Sequence, residues 1–183
     1  MTEASKRVTT LSADRLRALA AKLKEKDRAA GDEPIRPRPV GTGPLPLSYS
    51  QERLWFLDQL GEGASPYIVP AALRLTGPLD VAALARTWTE LVRRHESLRT
   101  TFVAEDGRPL QAVAPPPDRV ALPLVDVPGP AEAERLAAEE ARRPFDLARG
   151  PLLRLALLRL SEEDHVLLVT MHHIVSDGWS MTV

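Results

Sequence analysis

Cysteine is absent from the 183 residues. Disulfides and thiolate metal ligands are thereby excluded, and a reducing compartment fits. Histidine is scarce: only His95, His165, His172 and His173 occur. Zinc or iron needs three or four converging ligands, so no metal site is expected. Charge of one sign is lacking too. The net charge of −1 offers no basic field for nucleic acid or anionic lipid. No apolar run approaches a membrane span and no signal peptide is visible, so a cytoplasmic protein without a membrane partner is expected. Lysine is nearly missing: four against 20 arginines, all four before residue 27. The first segment therefore differs in composition from the rest.

That segment reads as an appendage. Residues 12–27 predict a helix with Ser12 as N-cap and an apolar stripe of Leu16, Leu19, Ala20 and Leu23. Residues 31–46, with five prolines and three glycines, predict an extended linker. The division expected is 1–44 for helix and linker and 45–183 for a folded lobe. A basic helix end, Lys22, Lys24, Lys26 and Arg28, on a flexible tether suits capture of a short acidic tail. On this alternative reading the chain is a docking module that receives an upstream subunit through residues 12–27.

The lobe opens with Ser48 and Gln51, an S-x-x-Q capping box for a helix to about Leu60. Tyr67 to Leu75 predicts a strand. Asp80 caps an amphipathic helix whose apolar face holds Val81, Leu84, Ala85, Trp88, Leu91, Val92 and His95. Trp55, Trp88 and His95 are expected in the core. Strands are predicted at 98–104 and 109–113 around the Asp106-Gly107 turn, and near 122–126 after a Pro-rich loop. A helix follows at 130–143, ended by Pro144. Strands at 152–160 and 164–171 form a hairpin through Ser161-Glu162-Glu163. The fold class expected is α+β, with helices on a mostly antiparallel sheet.

The last strand runs into Met171-His172-His173-Ile174-Val175-Ser176-Asp177-Gly178-Trp179-Ser180. Imidazole titrates near neutrality and can take or give a proton at working pH. Adjacent strand residues point to opposite faces. One of His172 and His173 is therefore expected inside and the other in a cleft. From the residues alone, Asp177 reads as the cap of a helix starting at Trp179. Ser176 lacks a G-x-S-x-G elbow, so it is not read as a nucleophile.

HHIVSDGWS resembles the signature of condensation domains of nonribosomal peptide synthetases. Two more segments match that family in order. Ser48-Tyr49-Ser50-Gln51-Glu52-Arg53-Leu54-Trp55 resembles its S-x-x-Q-x-R-L-W motif, and Arg94-His95-Glu96-Ser97-Leu98-Arg99-Thr100-Thr101-Phe102 its R-H-E-x-L-R-T-x-F motif. The resemblance implies a lobe like chloramphenicol acetyltransferase and amide bond formation between a donor thioester and an acceptor amine. Both substrates would ride on phosphopantetheine arms of carrier proteins, with no cofactor bound directly.

Residue by residue, the resemblance implies that His173 is catalytic and that Asp177 pairs with an arginine of the second motif, Arg94 or Arg99. Arg94 is the preferred partner. His172 is expected as a satisfied core histidine. Gly178 is expected to permit a tight turn or close approach of a substrate arm, and Arg53 to form a structural salt bridge. The family has two lobes with a tunnel between them, and the match covers the first, so this chain alone is expected not to catalyse condensation. Epimerization domains and related HxxxD acyltransferases share the histidine motif and are the enzymatic alternatives.

Overall fold

The computed structural model describes residues 38, 43–61 and 67–180. The chain divides into two units, Met1–Thr42 and Gly43–Val183. The helix expected at 12–27 and most of the linker lie outside the described residues.

The second unit contains β1 (Leu45–Pro46), α1 (Tyr49–Leu60), β2 (Ile68–Thr76), α2 (Val81–Arg94), a 3-10 turn (Glu96–Arg99), β3 (Thr100–Glu105), β4 (Arg108–Val113), β5 (Leu124–Asp126), α3 (Pro130–Arg142), β6 (Leu153–Ser161) and β7 (Asp164–His172). A four-stranded sheet has the order β2-β7-β6-β5, antiparallel except for β5 beside β6. A small antiparallel sheet has the order β1-β4-β3. The α+β architecture is as the patterning predicts. Residues 45–46, read as linker, instead pair with Gln111 and Leu110.

The caps explain where the helices begin. Ser48 and Gln51 close the reciprocal box: the Ser48 amide donates to Gln51 Oε1 at 2.9 Å, and the Gln51 amide to Ser48 Oγ at 3.3 Å. Asp80 accepts from the Ala83 amide at 2.8 Å. Pro130 sits in the first turn of α3, where its missing N–H is harmless.

β7 is central and covered on both faces, which is why its sequence is almost continuously apolar. One face packs Leu155, Leu157, Leu167, Val169 and Met171 against Val81, Leu84, Trp88 and Val92 of α2. The other packs Leu158 and Leu168 against Ala133, Leu136 and Ala137 of α3. Each fully buried leucine of this kind contributes roughly 1.5–3 kcal/mol. A third cluster, Leu47, Phe102, Phe145, Leu147, Leu152, Ile174 and Val175, underlies the chain just past β7, with Trp55 partly buried on it.

Two expectations fail locally. The strand predicted from Leu98 starts only at Thr100, because the Leu98 amide turns back to the His95 carbonyl at 3.1 Å and Thr100 Oγ1 donates to the Glu96 carbonyl at 2.7 Å. His95 is exposed rather than core. The helix stops at Arg94, and His95 leaves the helical stripe as its extended C-cap (φ −105°, ψ 102°). Gly150 is required by geometry: φ is +58°, and a Cβ there would stand 2.9 Å from Thr101 Cγ2.

Candidate active site: the histidine loop after β7

His172 ends β7 and is fully buried (0 % exposed). Its amide donates to the Leu152 carbonyl at 3.0 Å. Its Nδ1 accepts the Ile174 N–H at 3.1 Å, so the ring is the neutral tautomer with hydrogen on Nε2. Phe145 meets the ring edge-on, centroids 6.1 Å apart. Asp58 Oδ1 of α1 lies 3.9 Å from Nε2. Burial, and then the neighbouring His173, push the His172 pKa down to about 4. The ring is therefore uncharged at neutral pH. Burial, followed by the charge of Asp146, raises the Asp58 carboxyl.

His173 points the other way and is exposed. Its amide donates to the Tyr67 carbonyl at 2.8 Å. Its Nδ1 lies 2.8 Å from the Ser176 carbonyl oxygen, which can only accept. In the neutral ring Nδ1 therefore carries the hydrogen, and Nε2 keeps its lone pair. A basic nitrogen of fixed tautomer thus sits at the surface, on a loop held from beneath by buried Ile174 and Val175.

The expected partnership of Asp177 with Arg94 or Arg99 is not formed among the described residues. Asp177 is exposed, and its Oδ1 accepts from the Ser180 amide at 2.7 Å and Ser180 Oγ at 2.6 Å. These bonds, Ser180 Oγ first, hold its carboxyl below the usual range. Asp177 thus accepts from a residue three positions on, as a cap does, while the helix expected from Trp179 is not assigned among the described residues. Arg94 binds Glu90 at 2.6 Å, one turn back on α2, where the i,i+4 spacing brings them together. Arg99 donates to the Ala114 carbonyl and reaches Glu96 at 3.5 Å. Both arginines therefore find nearer acceptors than Asp177.

Arg53 is exposed and forms no ion pair among the described residues, so its expected salt bridge is corrected as well. Gly178 is not in the left-handed region, and an added Cβ would meet nothing within 4 Å. The turn does not demand it. Ser176 is buried and contributes its carbonyl rather than a nucleophile.

One contributor escaped the sequence reading. Gln51 Nε2 donates to the Ile174 carbonyl at 3.4 Å and to Gln111 Oε1 at 3.3 Å, tying α1 and β4 to the histidine loop. Its position in the S-x-x-Q-x-R-L-W segment was the available signal, but the capping box alone accounted for it.

The condensation domain family model matches residues 42–183. The chain belongs to the condensation domain family. Phosphinothricin tripeptide synthetase PhsC of Streptomyces viridochromogenes is 44 % identical over 188 residues, covering 99 % of this chain and 17 % of that protein. A linear gramicidin synthase of Brevibacillus parabrevis is 47 % identical over 169 residues, covering 89 % of this chain and 2 % of that protein. Among solved structures, the first condensation domain of the CDA synthetase superposes with a TM-score of 0.69 at 30 % identity, over 76 % of this chain and 37 % of that one. The X-domain from teicoplanin biosynthesis superposes at 0.66 with 35 % identity, over 76 % and 29 %. The chain thus spans a small part of the length of the curated relatives it matches. No helix among the described residues is long and apolar enough to cross a membrane.

Proposed function

We propose that residues 43–183 form the histidine-bearing part of a peptide-synthetase condensation domain. The reaction is attack of a carrier-bound aminoacyl amine on a carrier-bound donor thioester, giving an amide and a free thiol. The observation that carries this reading is the exposed His173 with Nδ1 engaged by the Ser176 carbonyl, which in the neutral ring leaves Nε2 as the acceptor. An α-amino group has a pKa of about 8, so much of it is protonated at neutral pH. Nε2 can take a proton from the attacking nitrogen, or orient the amine by accepting its N–H. His172 stays neutral and buried, and fastens the loop rather than reacting.

Carrier proteins and their phosphopantetheine arms are the partners this chemistry needs. Exposed apolar side chains suit contact with the rest of such a domain: Trp179 is 82 % exposed six residues after His173, and Tyr49 on α1 is 92 % exposed. In keeping with a site shared with further protein, the chain alone should not turn over, since positioning both reactants supplies much of the barrier lowering. The deciding experiment assays amide formation from two loaded carriers with the longer synthetase that contains this segment, as wild type and as His173→Ala. Full rate in a well-folded variant would remove His173 from the chemistry. Turnover by the 183-residue chain at the rate of the longer protein would overturn the shared-site view.

A further inference from the structure

β6 has a free edge. β5 pairs with Leu157, Leu158 and Arg159, leaving Leu153 to Ala156 without a strand on that side among the described residues. The direction of the free backbone groups follows from the pairing. The Leu157 amide donates to Pro123 at 2.8 Å and the Val127 amide to the Arg159 carbonyl at 3.0 Å, so residues 157 and 159 face β5. The Leu152 carbonyl accepts from His172 on the opposite side. By the two-residue period, Leu153 and Leu155 present their N–H and C=O groups to the open edge.

The loop before β5 faces this edge, and Leu153 and Leu155 beneath it are buried in the cluster on which Val120 and Leu122 of the loop pack. Pro115, Pro116 and Pro117 have no N–H to donate. The Val120 amide is taken by Thr89 Oγ1 of α2 at 3.1 Å, which pins the loop to the helix. Between loop, β6 and the end of α3 lies a cavity of about 590 Å³. Its lining includes Val92, Leu98 and Val120 on one side, with Leu153 and Leu155 at its base.

Five arginines (99, 119, 143, 149 and 154) line the cavity; Arg143 and Arg154 bind Glu140, Arg149 lies 3.9 Å from Asp146 and Arg99 3.5 Å from Glu96, and Arg119 has no ion pair among the described residues. Arg99 is 13 % exposed, and its Nε is buried with no hydrogen-bond partner. A buried unpaired donor is costly and marks a place where an acceptor fits.

We propose that this edge is a docking site for an extended acidic peptide of a partner chain, which adds as a short strand beside Leu153–Ala156. Four backbone hydrogen bonds, to the N–H and C=O groups of Leu153 and Leu155, hold the strand. A carboxylate meets the arginine rim, and apolar side chains enter the pocket beside Val92 and Leu98. The stretch of four residues is roughly 13 Å long, so the motif is short. Strand addition of this kind draws affinity from the main chain and selectivity from the pockets.

The test uses the 183-residue chain and a fluorescein-labelled hexapeptide, Thr-Val-Glu-Val-Thr-Val, read by fluorescence anisotropy. Two control peptides replace the glutamate with lysine or carry N-methyl groups at every amide. The proposal expects saturable binding of the acidic peptide, at least tenfold weaker binding of both controls, and weakening by Arg119→Gln. Arg119 is exposed, so that variant spares the fold. No binding at millimolar peptide overturns the proposal, as does equal binding of either control. The longer synthetase is tested in parallel. Binding to the short chain but not to the longer one would show the groove filled by the protein's own chain, and would overturn a partner peptide. None of these outcomes depends on condensation activity.

Discussion

The last residue of β7 and the first residue after it are both histidine, yet almost nothing else about them agrees. His172 is sealed between the sheet and Phe145, accepts a backbone N–H, and is held neutral by burial. His173 is exposed, donates through Nδ1 to a carbonyl three residues on, and keeps Nε2 for an incoming group. One peptide bond separates a ring that fastens a loop from a ring that can move a proton. The pleat of the strand sets this difference, since it sends neighbouring side chains to opposite faces.

The largest effect expected from breaking this pair is on rate. His173→Ala in the longer synthetase should slow condensation by roughly 10²–10⁴-fold, the range of general-base help, with an unchanged melt. Single-turnover amide formation checks the first part, and calorimetry the second. A stability loss equal to that of a His172 variant would mean the two rings do not differ in burial.

His172→Ala should act on stability instead. It empties a fully buried site and orphans the Ile174 N–H, for a loss of roughly 3 kcal/mol. Urea unfolding of the 183-residue chain measures this. A midpoint within error of wild type would show that the ring is not packed between the sheet and Phe145.

The same ring links stability to pH. Its folded pKa, about 4, lies below the ordinary 6.5. The unfolded chain therefore binds the proton more readily. His172 stabilises the fold fully above about pH 6.5, and that contribution is lost as pH falls toward 4, up to about 3 kcal/mol. His172→Gln should flatten the unfolding free energy between pH 6.5 and 4. An undiminished slope in that variant would assign the acid sensitivity elsewhere.

Smaller effects are expected where the looked-for ion pair is missing. Asp177→Ala removes the acceptor for the Ser180 amide and should lower the melting temperature by a few degrees at most. Arg94→Ala removes an exposed partner of Glu90 and should leave the melt unchanged. A strong and non-additive loss in the double variant would restore a coupling between Asp177 and Arg94 that the geometry does not contain.

Much of the fold was legible because its signals are local. Ser48 with Gln51, and Asp80 with Ala83, define helix starts within three residues. The hairpin of β6 and β7 follows from two apolar runs around a short polar turn. What was misread needed a partner distant in sequence or a competing contact nearby. His95 fits the stripe of α2 by spacing, but the chain leaves the helix one residue earlier. Family resemblance assigns Asp177 an arginine, whereas Ser180 offers two donors three residues away. Gln51 looks complete as a cap, and its side chain also reaches Ile174, 123 residues on.

By itself the sequence determined the α+β class, the helix caps, the family and the identity of the histidine pair. Those features depend on periodicity and on residues adjacent in the chain. Tertiary structure alone decided which tautomer each histidine adopts, which acceptors the arginines take, and that β5 stops short of Leu153 to Ala156 of β6. Each of these depends on groups brought together from far along the chain, where burial and hydrogen-bond geometry choose among partners that sequence spacing cannot rank.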